Sequence, residues 1–219
     1  MRDSLIDQGW ADHLQGNFDL AQKSFQQAEQ LEQQIDLDKQ YLYSLRGIRH
    51  ADHLRCQGNI DYARRIAEAN QIICEQNCLQ NDLSRCHRQL GDLDATANLH
   101  KAHAHYDEAL YIAHSISKQG VLIEALLGRG RWAARRGEEA VAASDLEEAL
   151  SYAVEGGYRI YEADIRVALA WMHRTQGNLG AAQREAERAQ RMSEQMGYYW
   201  GKKDAAEVLA ELAHSREVV

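Results

Sequence analysis

"QGNFDLAQKSF" occupies residues 15–25, "QGNIDYARRIA" residues 57–67 and "QGNLGAAQREA" residues 176–186. Each begins Gln-Gly-Asn, continues with an apolar residue and carries an alanine three places further on. Such a segment is either a glycine-rich loop around a phosphate or the punctuation between two helices. A phosphate loop needs a preceding strand and a following Lys-Ser/Thr, and neither stands here. The segment reads as punctuation.

Anchoring on Gly16, Gly58, Ala97, Gly137 and Gly177 sets a period near forty residues. Five places after each anchor stand Ala21, Ala63, Ala102, Ala142 and Ala182. Nine places on come Phe25, Ala67, Tyr106, Leu146 and Ala186, and twelve on come Ala28, Asn70, Ala109, Ala149 and Ala189. Steps of four and three share one helix face, so each stripe is a surface that lets a neighbouring helix approach closely. Seven places before the anchors come Gly9, Ala51, Leu90, Gly130 and Ala170, mostly small. Each period is therefore two antiparallel helices joined by a tight turn.

The anchor glycines Gly16, Gly58 and Gly177 are expected just past the first helix, where a left-handed backbone is cheap only for glycine. Asn17, Asn59 and Asn178 are expected to cap the second helix through their side chains. Phe18, Ile60, Leu99 and Leu179 should then seat that helix in the core. In the third period, "TANLHKA" (96–102) puts Ala97 at the anchor and Gly91 one place off register, which predicts a different turn. On this reading Gly58 is less replaceable than Gly91.

Composition agrees with helices throughout. The chain has 219 residues, no proline, 15 glycines and 7% aromatic residues. Absence of proline and abundance of Ala, Leu, Glu, Gln and Arg permit long helices, and few β-branched residues argue against a sheet. A net charge of −8 opposes general nucleic-acid binding. No apolar run approaches a membrane span, and "MRDSLIDQGW" lacks the apolar core of a signal peptide. Cys56, Cys74, Cys78 and Cys86 have neither zinc-ribbon nor redox spacing, which fits a reduced, cytoplasmic setting. Cys74 and Cys78 fall at i,i+4 in a helical stretch, as buried filler would.

"GNFDLAQKSFQQA" (16–28) and "ANLHKAHAHYDEA" (97–109) resemble the tetratricopeptide repeat, and the resemblance covers essentially the whole chain. It implies an all-α, right-handed α-solenoid of helix-turn-helix repeats. The period is about 40 rather than roughly 34 residues, and the proline that often ends the second helix is missing. The longer period is similar to the extended-helix variety of bacterial regulators and scaffolds. HEAT repeats share such a period, but the Gly-Asn turn and the spaced alanines fit them poorly. The expected organisation is a single domain over 1–219 with repeats at 1–37, 38–78, 79–117, 118–157 and 158–197. A capping helix at 198–219 follows, with Val208, Leu209 and Leu212 inward and Tyr198, Tyr199 and Trp200 packed on the last pair. No equivalent cap precedes the first helix, which points either to a piece of a longer polypeptide or to an exposed first helix.

Ten histidines invite a metal reading, densest in "HKAHAH" (100–105) and at His50 and His53. No HExxH appears and no Cys or carboxylate completes a zinc spacing, so they read as solvated or packing residues. No catalytic order of nucleophile and base stands out, and helical solenoids rarely build a water-excluding oxyanion site. The chain is therefore read as a non-enzyme without a cofactor.

The tetratricopeptide resemblance implies that first helices line a concave groove. The windows 1–15, 38–57, 79–96, 118–136 and 158–176 carry a net +4 although the chain is −8. Trp10, His13, Arg49, Asp52, Arg55, His87, Arg88, Arg131, Trp171 and Arg174 are expected to face that groove. Arginine with tryptophan is hot-spot composition, and guanidinium forks suit carboxylates or phosphates. The expected partner is a protein or peptide, acidic in character, with no nucleic acid and no membrane. The clamp that some eukaryotic members use for C-terminal carboxylates is not matched. "LLGRGRWAARRG" (126–137) and "MGYYWGKKDAAEVLAEL" (196–212) look like the C-terminal repeat arrays of NACHT/STAND-type signalling ATPases. That resemblance implies a sensor tail behind an N-terminal NTPase or effector domain. The alternative is a regulatory domain of a transcription activator that senses a small molecule or signal peptide, with an aromatic pocket near Tyr161 and Trp171.

Overall fold

The computed structural model describes residues 2–35 and 40–217. Among the described residues there are eleven α-helices and no strand. They run α1 (Arg2–Gln15), α2 (Phe18–Ile35), α3 (Leu45–Cys56), α4 (Ile60–Gln76), α5 (Gln80–Asp94), α6 (Leu99–Ser115), α7 (Gln119–Arg136), α8 (Glu139–Glu155), α9 (Arg159–Thr175), α10 (Leu179–Met196) and α11 (Tyr199–Glu217). Consecutive helices pair as five hairpins with α11 last, the α-solenoid architecture expected from the period. The boundary between the first two repeats, at 37/38, lies outside the described residues.

The chain forms two compact units, Met1–Ser117 and Lys118–Val219, here units 1 and 2. In unit 1 the core is a series of local clusters. Ile6, Ala21, Phe25, Ala28 and Leu42 form one. Ala51, Leu54, Ala63, Ile66, Ala67, Leu90 and Leu93 form the next. In unit 2, Val167 and Ala170 of α9 meet Ala182, Ala186 and Ala189 of α10 and Ala205, Val208 and Leu212 of α11. A core built cluster by cluster between neighbours is what stacked repeats produce.

All fifteen stripe residues after the anchors are buried. The positions before the anchors mark where the two helices of a hairpin cross. A Cβ on Gly9 would lie 3.1 Å from Ser24 Cβ, and one on Gly130 would lie 2.9 Å from Leu146. The odd residue of the stripe, Asn70, donates from Nδ2 to the carbonyls of Leu42 (3.0 Å) and Ile66 (2.9 Å). A buried amide bonded in this way fastens α4 to the segment entering α3.

The turns follow the reading in part. Gly16, Gly58 and Gly177 adopt φ of 84°, 80° and 75°. The third turn is different, as expected: residues 95–98 connect α5 to α6, and Ala95 is right-handed at φ −54°. The caps are less uniform than expected. Asn178 accepts from the Ala181 amide, but Asn59 makes no side-chain cap bond and Asn17 turns its amide back to Asp12 and Gln15. Asn98, not anticipated, caps α6 by accepting from the Lys101 amide.

Three further expectations are corrected. Ile60 and Leu99 are 41% and 44% exposed, because the buried stripe of each second helix begins three residues later, at the alanine. Cys78 does not extend α4. It sits exposed in the turn after it with φ 52°. In the last helix Val208 and Leu212 are buried and Leu209 packs beside them. Tyr198 is buried with them, whereas Tyr199 stays exposed against the Trp200 ring.

Candidate partner-binding faces

In unit 1 the first helices present arginines that already have acids. Arg46 donates to Asp3 at 2.9 Å and Arg49 to Asp7 at 2.7 Å, each from α3 to α1. The Arg49 guanidinium also lies over the Trp10 ring, 5.7 Å from its centre. Further along, Arg88 of α5 bridges Asp52 of α3 (2.8 Å) and Asp92 of its own helix (2.6 Å). Arg55 stands 3.6 Å from Asp52. Burial alone would lift the Asp52 carboxyl, but Arg88 and Arg55 overcome it and hold it below the usual carboxylate range.

His13 is a correction. It is buried behind Trp10, stacked on that ring at 4.9 Å, with its Nδ1 3.2 Å from Nδ1 of His53. It supports the tryptophan from within and offers no surface to a partner. His87 is half-buried against His105, Nδ1 to Nδ1 at 3.1 Å. Burial, then the neighbouring His105, pushes its pKa down to about 4.

In unit 2 the same composite recurs. Arg174 lies 5.4 Å over the Trp171 ring and donates to Glu211 of α11 at 2.7 Å. Arg136 covers Trp132 at 5.1 Å and pairs with Glu138 at 2.9 Å. Arg131 acts electrostatically on Asp164 and Asp204. Asp164 accepts from the Tyr198 hydroxyl at 3.1 Å, and Tyr161 donates to Glu124 at 2.5 Å. Burial lifts Asp164 to about 7 against the pull of Arg131.

The ten expected residues thus fall into local groups. Trp10, His13 and Arg49 stand together, as do Asp52, Arg55 and Arg88, and Trp171 with Arg174. His87 and Arg131 each stand with groups the sequence reading did not select. Arg46, Arg49, Arg88 and Arg174 are not free, because each binds a neighbouring carboxylate. The missed residues, Asp3, Asp7, Glu124, Asp164, Tyr198 and Glu211, had a signal. Each stands about one repeat from its partner, on the adjacent first helix or, for Tyr198, at the residue just before α11. A cavity of about 460 Å³ in unit 1 is lined by Arg2, Asp3, Leu31 and Ile35, none of which was among the ten. Among the described residues, no group of three or more His, Cys, Asp or Glu side chains could hold a metal ion. No described helix is long and apolar enough to cross a membrane.

No family model matches the chain, and no curated protein matches it. Solved structures do. The crystal structure of Rap protein complexed with Competence and Sporulation Factor superposes with a TM-score of 0.65 at 12% identity, over 99% of this chain and 64% of that one. Yeast Tom70 superposes with a TM-score of 0.57 at 16% identity, over 97% of this chain and 40% of Tom70. The chain therefore spans less than two thirds of either protein. These likenesses, with the helix hairpins, establish the fold: a tetratricopeptide-like helical repeat array.

Proposed function

We propose that this chain is a non-catalytic helical-repeat scaffold that holds a protein or peptide against the first helices of its hairpins. The observation that carries the reading is a composite present in both units. An arginine lies over a tryptophan ring and is clamped by an acid of the adjacent first helix: Arg49 with Trp10 and Asp7, Arg174 with Trp171 and Glu211. A flat apolar plate beside a fixed guanidinium fork is suited to a polypeptide carrying carboxylates. An acidic partner would exchange its own carboxylates for those of Asp7 and Glu211, so the internal pairs act as placeholders. In this reading Arg55 and Arg88 extend the face of unit 1, which Asp52 and His87 orient, and Arg131 extends the face of unit 2.

The sequence-based organisation as one domain over 1–219, the cytoplasmic setting and the service of a larger signalling protein with an NTPase or effector output belong to the same proposal. The four free cysteines fit a reducing compartment. The likeness to a Rap protein solved with Competence and Sporulation Factor supports a second reading, a regulatory array that senses a signalling factor.

Selection of displayed random peptides on the intact chain, followed by calorimetry, tests the first reading. Recovered peptides should be rich in Asp and Glu. Arg49→Ala and Arg174→Ala should each weaken binding about tenfold while the helical spectrum is kept. Peptides that bind both variants as tightly as the parent would remove these faces from the site.

A further inference from the structure

Eight of the ten histidines lie in unit 1. Three of them, His13, His50 and His53, are buried together where α1, α2 and α3 meet. The contact between His13 Nδ1 and His53 Nδ1, at 3.2 Å, needs one nitrogen to donate and the other to accept. Two charged imidazoles cannot make it, because both nitrogens then carry hydrogen.

The surroundings do not welcome charge. From α1, Trp10 stacks on His13; from α2, Phe18 and Phe25 flank the pair and Gln22 Oε1 meets His53 Nε2 at 3.1 Å. From α3, Asp52 favours a proton on His13 and Arg55 opposes it, but Asp52 is already bonded to Arg88 of α5. His50, next to the pair, lies between the Phe25 and Tyr62 rings with no hydrogen-bond partner on either nitrogen. Glu29 of α2 is 3.8 Å from it, and burial raises that carboxyl although Tyr62 of α4 donates to it. A second imidazole pair, His87 with His105, joins α5 to α6. It is faced by Glu75, Glu68 and Arg64 of α4, by Asp94 of α5 at 3.9 Å and by Lys101 of α6.

We propose that unit 1 is released by mild acid: charging both members of the His13–His53 pair breaks their contact and opens the α1/α2 hairpin from α3, while unit 2 stays folded. This holds whatever the first-helix faces bind.

Thermodynamic linkage gives the direction. Burial first, then His53, holds His13 at about 4, and burial lowers His53 as well. Unfolded imidazoles titrate near 6.5. Between roughly pH 6.5 and pH 4 the unfolded chain therefore binds more protons, and unit 1 loses stability as pH falls through that window. His13 alone favours opening about 20-fold more at pH 5 than at pH 7. Unit 2 runs the other way. Burial lifts Asp164 to about 7 and raises Asp204. Its folded form keeps protons that the unfolded form would release, so its stability rises as pH falls from about 7 towards 4. The two histidines of unit 2, His173 and His214, are not buried.

Hydrogen exchange on the full chain at about pH 7 and pH 5, corrected for intrinsic rates, reads both units at once. Amides of α1, α2 and α3 should lose about 20-fold or more in protection at pH 5. Those of α9, α10 and α11 should be at least as protected as at pH 7. His53→Gln keeps a neutral hydrogen-bonding group beside His13 and should reduce the acid-induced loss several-fold. If that variant does not fold, the imidazole titration of the parent chain by NMR decides. His13 titrating below about pH 5 supports the proposal. Equal loss in both units, or a His13 titrating near 6.5 in the folded chain, overturns it.

Discussion

Units 1 and 2 obey one forty-residue cadence and fill it with different chemistry. Unit 1 buries His13, His50, His53, Asn70 and Gln89 among its aliphatic residues and holds all four cysteines. Around α7 and α9, unit 2 buries Ile123, Leu126, Leu127, Ile165, Ala168 and Leu169. It binds its buried Arg166 with Glu162 and Glu185. The difference shows that the repeat dictates where two helices touch and not what they touch with. A position that must be small stays small in both units, while the side chains around it vary between them.

The largest expected effects come from positions where helices cross. A Cβ on Gly91 of unit 1 would stand 2.9 Å from the Tyr106 ring, which is buried and donates to Asp92. Gly130 of unit 2 meets Leu146 at the same distance. Gly91→Ala and Gly130→Ala should each cost about 1–3 kcal/mol in their own unit, through overpacking. Gly58 has open space around it and pays only for its left-handed φ, so Gly58→Ala should cost about 1–2 kcal/mol. With valine the gap widens, so Gly91→Val should be the worse of the two. This reverses the order expected from the turn alone. Urea midpoints, with exchange assigning the loss to a unit, check it.

Next come the stripe alanines, where the units should agree. Ala63→Leu in unit 1 and Ala182→Leu in unit 2 each place a larger side chain at a fully buried crossing. Both should cost about 1–3 kcal/mol. A large cost in one unit and none in the other would show that the common register ends at the unit boundary.

These stripes were readable in the sequence because a small residue at a helix crossing recurs with the period. The partners of the arginines were harder to read. Arg49 and Asp7 lie on different helices, and nothing local to either residue announces the pair. Only the repeat number relates them, and charge totals hide it by summing over residues that neutralise each other. His13 was misplaced for a related reason. Its distance from the anchor gave the helix face, but the helices packed over that face decide burial, and α3 supplies His53 there. Ile60 and Leu99 failed at the other end of the scale. Apolar residues at the first position of a helix sit over the turn, before the buried stripe begins.

A smaller effect should distinguish the two cores by their response to acid. His50 is fully buried with neither ring nitrogen hydrogen-bonded, and burial, then His53, holds its pKa at about 3. Its unfolded form charges below about pH 6.5, so it weakens unit 1 progressively as pH falls from there to about 3. His50→Leu removes an unsatisfied group and should raise the stability of unit 1 by about 1 kcal/mol at pH 7. The gain should grow at pH 5, where the parent has weakened, and thermal scans at the two pH values measure it. An equal gain at both would separate His50 from the acid response.

The smallest effect tests the turns between hairpins. Unit 2 makes two of them with glycine, Gly157 at φ 68° and Gly197 at φ 65°. Unit 1 makes the turn from α4 to α5 with Cys78 at φ 52°. A side chain in the left-handed region costs about 1–2 kcal/mol, and the exposed Cys78 has little packing to offset it. Glycine would relieve that strain but also loosen the unfolded chain, which returns about 0.4–1 kcal/mol. Cys78→Gly should therefore stabilise unit 1 by about 0.5–1 kcal/mol and leave unit 2 unmoved. Cys78→Ala, which keeps a Cβ at the same backbone angle, should gain nothing. If alanine stabilised as much as glycine, the strain would reside in the thiol's surroundings and not in the turn. The two units would then differ in their cores alone.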